Sequence, residues 1–399
     1  MRLDTNFVTL WLIINLTTTI MKNNLTFVAL CFTMLLNAQW INDTSCSKKA
    51  SLITNKAIEY VMNLEYMAAF GAANAALLID EDCGCAKLTL AAISSNNENW
   101  GSRSKKLKAI NTTKLSPEEK GWYQYLTASL ENRQAISKSL AVKFPKGALM
   151  NYLGTSPQDF NSFKLFAEKF PSYASSAYNM MSYGYMRGDY GKEDSDAAMK
   201  YVKMSQDMHD GPNSYDSMAE HYAAKGDYEN ALNAALKAVD YAAFASPYMK
   251  TAQLYYAKKN KKSISDKVIE HQESMQKAIM SGDYEAYKKF EHPEIKVPTG
   301  DSNLNPFYIY TEKDVVADTA ITWEFFTLSN METYFSPDMK TAVITFVADG
   351  KYTFIDNAKT VSYATRGSSV WNNTDDGWKI LHTSYAPRKG RIGIPERTN

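Results

Sequence analysis

Three polar residues near the C-terminus have the types and spacing to do chemistry: Arg366, His382 and Ser384. An arginine fork can grip a carboxylate or phosphate, and a histidine can bind or relay a proton near neutral pH. Four aromatic residues, Trp323, Tyr352, Tyr363 and Trp378, offer enough surface to wall a pocket around them. Such a set could hold a carboxylate, or polarise a carbonyl during general acid–base work. A blander reading makes the aromatics core, pairs Arg366 with a neighbouring acid and leaves His382 as a hydrogen-bonded core residue. No catalytic residue, metal ligand or cofactor is assigned from the sequence. It contains no HExxH, P-loop, Gly-x-Ser-x-Gly or clustered Cys/His pattern.

The elements that must position these residues lie within 341–388, which reads as three β-rich runs. Asp349-Gly350 predicts a hairpin, because glycine tolerates the positive φ of a tight primed turn. Asp356-Asn357 and Asp375-Asp376-Gly377 punctuate the next connections. Alternation along a strand puts Arg366, Ser368 and Val370 on one face, and Trp378, Ile380, His382 and Ser384 on one face of the following run. The expectation is a curved antiparallel sheet whose inner face aims Arg366 and His382 into one cavity lined by Trp378 and the tyrosines. Upstream, 293–306 reads as a loop, 311–320 as a short helix, and 323–335 as partly extended, ending at the turn Ser336-Pro337-Asp338.

The order Arg366-x-Ser368-x-Val370-Trp371, then Gly377-Trp378-Lys379-Ile380-x-His382-x-Ser384-x-x-Pro387, resembles the end of nuclear transport factor 2-like domains. Within them it resembles the SnoaL-like group, which includes the association domain of calmodulin-dependent kinase. A helix over 271–290 would be that family's opening helix, and the resemblance spans roughly 268–395. It implies a cone of bent sheet wrapped by helices, with a pocket inside. The fold hosts enzymes, binders and oligomerisation hubs alike, so it implies no single chemistry. Enzymes of this family usually carry an acidic residue deep in the cone, and Asp356, at a turn, is the nearest candidate by sequence.

From 48 to 262 the chain reads as helical, rich in Ala, Tyr and Met. The spacing Ala219, Tyr222, Gly226, Asp227, Tyr228, Ala231, Ala235, Ala238 resembles a tetratricopeptide repeat, in which small residues let two helices approach closely. Ala57, Tyr60, Tyr66, Ala69, Ala73 and Ala76 keep that spacing 162 residues upstream. Gly188-Asp189-Tyr190 marks a third copy with extra loop residues over 191–194. Gly282-Asp283-Tyr284 is left to the C-terminal domain. Ser116, Pro117 and Glu119 predict a capped helix start, and Ser156 to Asp159 another. Residues 96–113 read as a polar loop and short helix, and the Lys-rich 258–262 as a solvated break. His221, on a repeat helix, has an ordinary exposed or packing role rather than a ligand's.

The whole is 399 residues with 44 basic and 43 acidic side chains, a balance that argues against nucleic-acid binding. Lys22 followed by an apolar run over 25–36 and small residues before Gln39 reads as a cleaved signal peptide, with Met21 the true start of translation. That places the mature protein in the periplasm or outside the cell. Cys46, Cys83 and Cys85 then remain; one disulfide from Cys46 to either partner, or plain thiols, fit the count. The domains expected are 1–39 signal, 40–262 tetratricopeptide-like, and 263–399 nuclear transport factor 2-like. The function expected is a non-enzymatic scaffold: helical repeats for a protein partner, and a C-terminal pocket for a small anionic or apolar ligand, a homodimer interface, or both. The alternatives are a SnoaL-type enzyme on a small hydrophobic substrate and a pure oligomerisation hub.

Overall fold

The computed structural model describes residues 39–94, 102–156, 159–242, 246–301, 307–309, 311–316 and 321–388. Of the signal segment read over 1–39, residues 1–38 lie outside them. The chain divides into two compact units, Met1–Met249 and Lys250–Asn399. No helix among the described residues is long and apolar enough to cross a membrane.

The first unit is helical. Its described helices are α1 (Lys48–Met62), α2 (Tyr66–Ile79), α3 (Gly84–Ile93), α4 (Arg103–Lys108), α5 (Pro117–Thr127), α6 (Leu130–Lys143), α7 (Ala148–Leu153), α8 (Phe160–Lys169), α9 (Ser175–Arg187), α10 (Ser195–Met208), α11 (Pro212–Ala224) and α12 (Tyr228–Tyr241). α13 (Ser246–Lys259) runs across the division between the units. Helices pack as sequential pairs, α1 on α2, α9 on α10 and α11 on α12. The 162-residue correspondence is structural: α1 and α2 end and start at positions matching α11 and α12. Ala57, Ala69, Ala73 and Ala76 are fully buried, and so are Ala219, Ala231, Ala235 and Ala238. A methyl group at each crossing lets the helices come close.

The turn between paired helices is also conserved in chemistry. The Asp227 N–H donates to the Tyr222 carbonyl, 3.0 Å, while Gly226 sits at φ 76° and ends α11. The Asp227 side chain then accepts from the Asn230 N–H and starts α12. Gly188 and Asp189 repeat the stop, but five residues further on Asp194 does the capping, so the extra loop lies where the sequence placed it. In the first pair the Glu65 N–H donates to the Tyr60 carbonyl, 2.8 Å, and Leu64 takes the glycine's place at φ 60°. A leucine there is strained, since Cβ crowds the backbone in the left-handed region.

Other expectations are met or corrected locally. The Ser116–Glu119 capping box forms at the start of α5. α8 starts at Phe160 with Asp159 as its cap rather than Ser156; Pro157 and Gln158 lie outside the described residues. Glu118 and Glu119 do more than cap. Both are buried, and their carboxylates accept backbone N–H groups from Asn42, Asp43 and Ser45, pinning the segment that leads into α1. A Cys46–Cys83 disulfide closes the same corner, and Cys85 is a buried thiol. His221 is buried, its Nε2 2.8 Å from the Ser182 hydroxyl, and burial pushes its pKa down to about 4.

α14 (Lys261–Ser281) begins ten residues before the expected helix; Asn260 alone separates it from α13, so the expected break at 258–262 is a one-residue interruption between two helices. Gly282 ends α14 and Asp283 caps α15 (Tyr284–Lys288). β1 (Pro298–Asp301), β2 (Tyr308–Ile309), α16 (Glu312–Val316), β3 (Ile321–Phe335), β4 (Thr341–Phe354), β5 (Thr360–Thr374) and β6 (Gly377–Pro387) follow. The sheet order is β2-β1-β6-β5-β4-β3, antiparallel except that β1 runs parallel to β6. A strand therefore lies inside the segment expected to be all loop. The Asp349-Gly350 hairpin does not form, since β4 runs straight through it. Glycine serves a different need there: a Cβ on Gly350 would lie 2.7 Å from the Trp323 ring that covers the strand. The real turns are at 355–359 and at Asp375-Asp376, with Gly377 at φ 93°.

Val268, Met275 and Ala278 of α14 pack on Ala342, Ile344, Phe346, Trp371 and Ile380 of the sheet. The Trp371 indole N–H donates to the Gln272 carbonyl oxygen, 3.1 Å, and both residues are fully buried. This pair registers helix against sheet.

Leu64→Gly should raise the stability of the first unit by up to about 1 kcal/mol, because it removes the left-handed penalty. Gly226→Ala should lower it by a similar amount. Thermal unfolding of the two variants checks both signs.

His209 supplies a pH test. Its Nδ1 and Nε2 lie 3.3 and 2.6 Å from carboxylate oxygens of Glu59 and Glu65, so both nitrogens donate and the ring is an imidazolium. These two acceptors hold its pKa up at about 9 from an ordinary 6.5. Burial would raise the Glu59 carboxyl, but hydrogen bonds from His209 and Lys56 bring it below its usual value. A raised histidine stabilises fully below pH about 6.5 and loses that contribution as pH climbs through about 9. His209→Gln should cost on the order of 1–2 kcal/mol at pH 6 and flatten the decline between those limits, read from melting temperature against pH.

Candidate functional site

The sheet separates the seven residues singled out from the sequence onto different surfaces. Along β4, Ala342, Ile344, Phe346, Ala348 and Tyr352 alternate into the core under α14. Opposite them on β5 lie Trp371, Ser369, Gly367, Thr365, Tyr363 and Val361. Arg366 and Ser368 have the other parity and face away from this core. Arg366 is exposed and makes no ion pair among the described residues. Trp323, Tyr352, Tyr363 and Trp378 belong to the core cluster on the inner side. The predicted shared cavity of Arg366 and His382 with Trp378 and the tyrosines is therefore not formed.

The physical reason is one extra residue. Trp371 pairs with Ile380, but Val370 pairs with His382, so β6 bulges at Leu381. A bulge shifts the period-2 alternation by one. Trp378 and Ile380 point into the core, whereas His382 and Ser384 take the parity of Val370 and Ser368. His382 is half-buried near the β1 edge. Its Nδ1 lies 2.8 Å from the Pro298 carbonyl, which can only accept, so Nδ1 carries the proton. The Phe307 ring lies 5.7 Å from its own.

Arg366, Ser368 and Ser384 do come together, on the outer face. With Asn330, Glu332 and Thr345 they line an open concavity of about 440 Å³. Ser384 sits directly across from Ser368, and Val347 across from Arg366. The guanidinium fork, two serine hydroxyls, a threonine hydroxyl and an amide supply donors for an anion, while Glu332 leaves one side negative. Arg366 and its hydroxyl neighbours can bind; nothing among them is placed as a nucleophile with its base.

Sequence reasoning missed Asp301. Asp356, the acid proposed from sequence, is exposed in the β4–β5 turn. Asp301 ends β1 and is 5% exposed. The Tyr363 hydroxyl donates to its Oδ2, 3.0 Å, and the Thr365 hydroxyl donates to the Tyr363 oxygen, 3.1 Å. Burial and the Asp301 charge raise Tyr352 to about 12 and push Tyr363 further above its ordinary value. Asp301 is the sole carboxylate between Glu294 and Glu312, which was the available signal. Its segment has no strand periodicity, and only parallel pairing with β6 brings it under the aromatics. Among the described residues no group of three His, Cys, Asp or Glu side chains is placed to hold a metal.

No protein-family model matches the chain, and no curated protein matches it. Solved structures do. A nuclear transport factor 2-like protein from Cytophaga hutchinsonii aligns at 17% identity and TM-score 0.25, covering 31% of this chain and 97% of its own. A nuclear transport factor 2-like superfamily protein from Salmonella enterica aligns at 16% identity and TM-score 0.28, over 34% of this chain and 99% of its own. The association domain of calmodulin-dependent kinase II from C. elegans aligns at 14% identity and TM-score 0.25, over 30% of this chain and 92% of its own. Each similarity takes in almost the whole of the other protein and about a third of this one.

Proposed function

We propose that this chain is an exported, non-enzymatic binding protein whose tetratricopeptide-like helical unit meets a protein partner. Its nuclear transport factor 2-like unit takes a small anionic ligand, forms a dimer, or does both. The observation that carries the ligand reading is Arg366, exposed in a concavity rimmed by Ser368, Ser384 and Thr345 with no ion-pair partner among the described residues. A guanidinium with free donors beside hydroxyls is what a carboxylate or phosphate requires. Paired helices with buried alanines and shared turn chemistry support the repeat reading of the first unit. The Cys46–Cys83 disulfide supports export, since such bonds persist in oxidising compartments.

A second reading rests on Asp301. A buried carboxylate bonded to a tyrosine under an aromatic roof is a fit arrangement for moving a proton on a small hydrophobic substrate. That is the SnoaL-type alternative. A ligand released unchanged favours binding alone, whereas a mass change that Asp301→Asn abolishes favours the enzyme.

The binding test is a screen of small carboxylates and phosphates by native mass spectrometry. Arg366→Ala should weaken a bound anion about ten- to a hundredfold, the worth of one charged hydrogen bond. As a surface substitution it should leave stability within roughly 0.5 kcal/mol. If no anion binds the unaltered protein, or if Arg366→Ala unfolds it, the residue is structural and the ligand reading is wrong.

Export has its own check. N-terminal sequencing of the protein from its native host should find a chain beginning near Gln39. Soluble cytoplasmic protein that retains Met1 or Met21 would sink that assignment.

A further inference from the structure

We infer that the outward face of α2 is a self-association surface, where a second copy of this chain packs its own α2 across a two-fold axis. α2 and α12 hold equivalent places in two matching helix pairs, so α12 is an internal control. Where α12 shows solvent Glu229, Lys237 and Asp240, α2 shows Met67, Ala75 and Leu78. Nothing in α2 is charged. Met67 is 67% and Leu78 90% exposed, with Tyr66, Phe70 and Ile79 also open to solvent. The polarity differs at these three equivalent sites, and although α12 also exposes Leu236 and Tyr241, it keeps charged neighbours beside them that α2 lacks.

Gly71 adds an independent observation. A glycine inside a helix costs about 1 kcal/mol relative to alanine. A Cβ at Gly71 would meet nothing within 4 Å, so no neighbour in this chain requires the glycine. The α12 counterpart is Asn233. A hollow without an internal cause fits a backbone approaching from outside.

The pattern selects a second copy as the occupant. Bulky residues stand at both ends (Tyr66 and Met67, Leu78 and Ile79), with Gly71, Asn74 and Ala75 between them. About the middle of the helix Tyr66 mirrors Ile79, Met67 mirrors Leu78 and Gly71 mirrors Asn74, while Phe70 is set against the smaller Ala75. An antiparallel two-fold contact places Met67 of one copy on Leu78 of the other, and Gly71 on Asn74, twice over. With no charge on the helix, self-pairing meets no like-charge repulsion. At on the order of 200 Å² per large side chain, the exposed parts of Tyr66, Met67, Leu78 and Ile79 come to roughly 480 Å². Two copies would bury about 1,000 Å², at the lower, transient end of specific interfaces.

The test is sedimentation equilibrium of the full chain, with association followed to high concentration. Gly71→Leu should weaken dimerisation at least tenfold while leaving or raising the melting temperature, because the monomer has room for the side chain. Met67→Lys and Leu78→Glu should each weaken it at least tenfold, and the double variant should recover most of the loss by pairing opposite charges across the axis. Met67→Cys with Leu78→Cys should yield a disulfide-linked dimer. A chain that stays monomeric at every concentration overturns the proposal. So does a dimer indifferent to all these substitutions and giving no cross-link; association would then belong to the C-terminal sheet, whose own reading would survive.

Discussion

The sheet of the second unit depends on one registered contact, the Trp371 indole N–H held by the buried Gln272 side chain of α14. The indole N–H lies between two buried acceptors, Gln272 Oε1 at 3.1 Å and Ser369 Oγ at 3.0 Å. The Gln272 bond is the one that crosses from the sheet to α14, and it ties Trp371 of β5 beneath that helix. Ile380 is the β6 residue paired with Trp371, and the bulge follows immediately. One unpaired residue therefore decides that Trp378 is core and that Ser384 is surface.

This arrangement divides polar chemistry between two faces. Inside, hydroxyls are committed to one another: Thr365 to Tyr363, Tyr363 to Asp301, and Thr299 to Thr383. Such a network suits a dry core, where an unpaired group is expensive. Outside, Arg366 and the serines meet solvent in an open hollow. The inner polar groups are thus satisfied within the core, while the outer ones keep free donors facing solvent.

In the helical unit the constraint is the approach of paired helices. Alanine at each crossing removes bulk, and the Gly-Asp turn satisfies one open carbonyl in the last turn of one helix, that of Tyr222, and one open amide in the first turn of the next, that of Asn230. Leu64 shows how much strain this geometry can carry when the helices on both sides hold it. The buried Glu118 and Glu119 show the complementary case, since burial raises the Glu118 carboxyl and backbone amides from Asn42 and Asp43 pull it the other way.

Much of this was legible from local chemistry. The helix pairs, their alanine spacing, the capping box at Ser116 and the turn at Gly377 are short-range features, fixed by residues a few positions apart. So were the strands over 360–387 and the shared parity of Arg366 and Ser368, although that parity was expected to face inward. Three things were not. The Asp349-Gly350 pair reads locally as a turn, but Trp323, 27 residues away, needs the glycine as a bed for its ring. The face of His382 depends on a bulge, and a bulge is chosen by the partner strand rather than by the strand that bears it. Asp301 acquires its burial only by lying parallel to β6, 84 residues later by the Thr299–Thr383 pairing. Periodicity reports which residues share a side; only long-range pairing decides what that side touches.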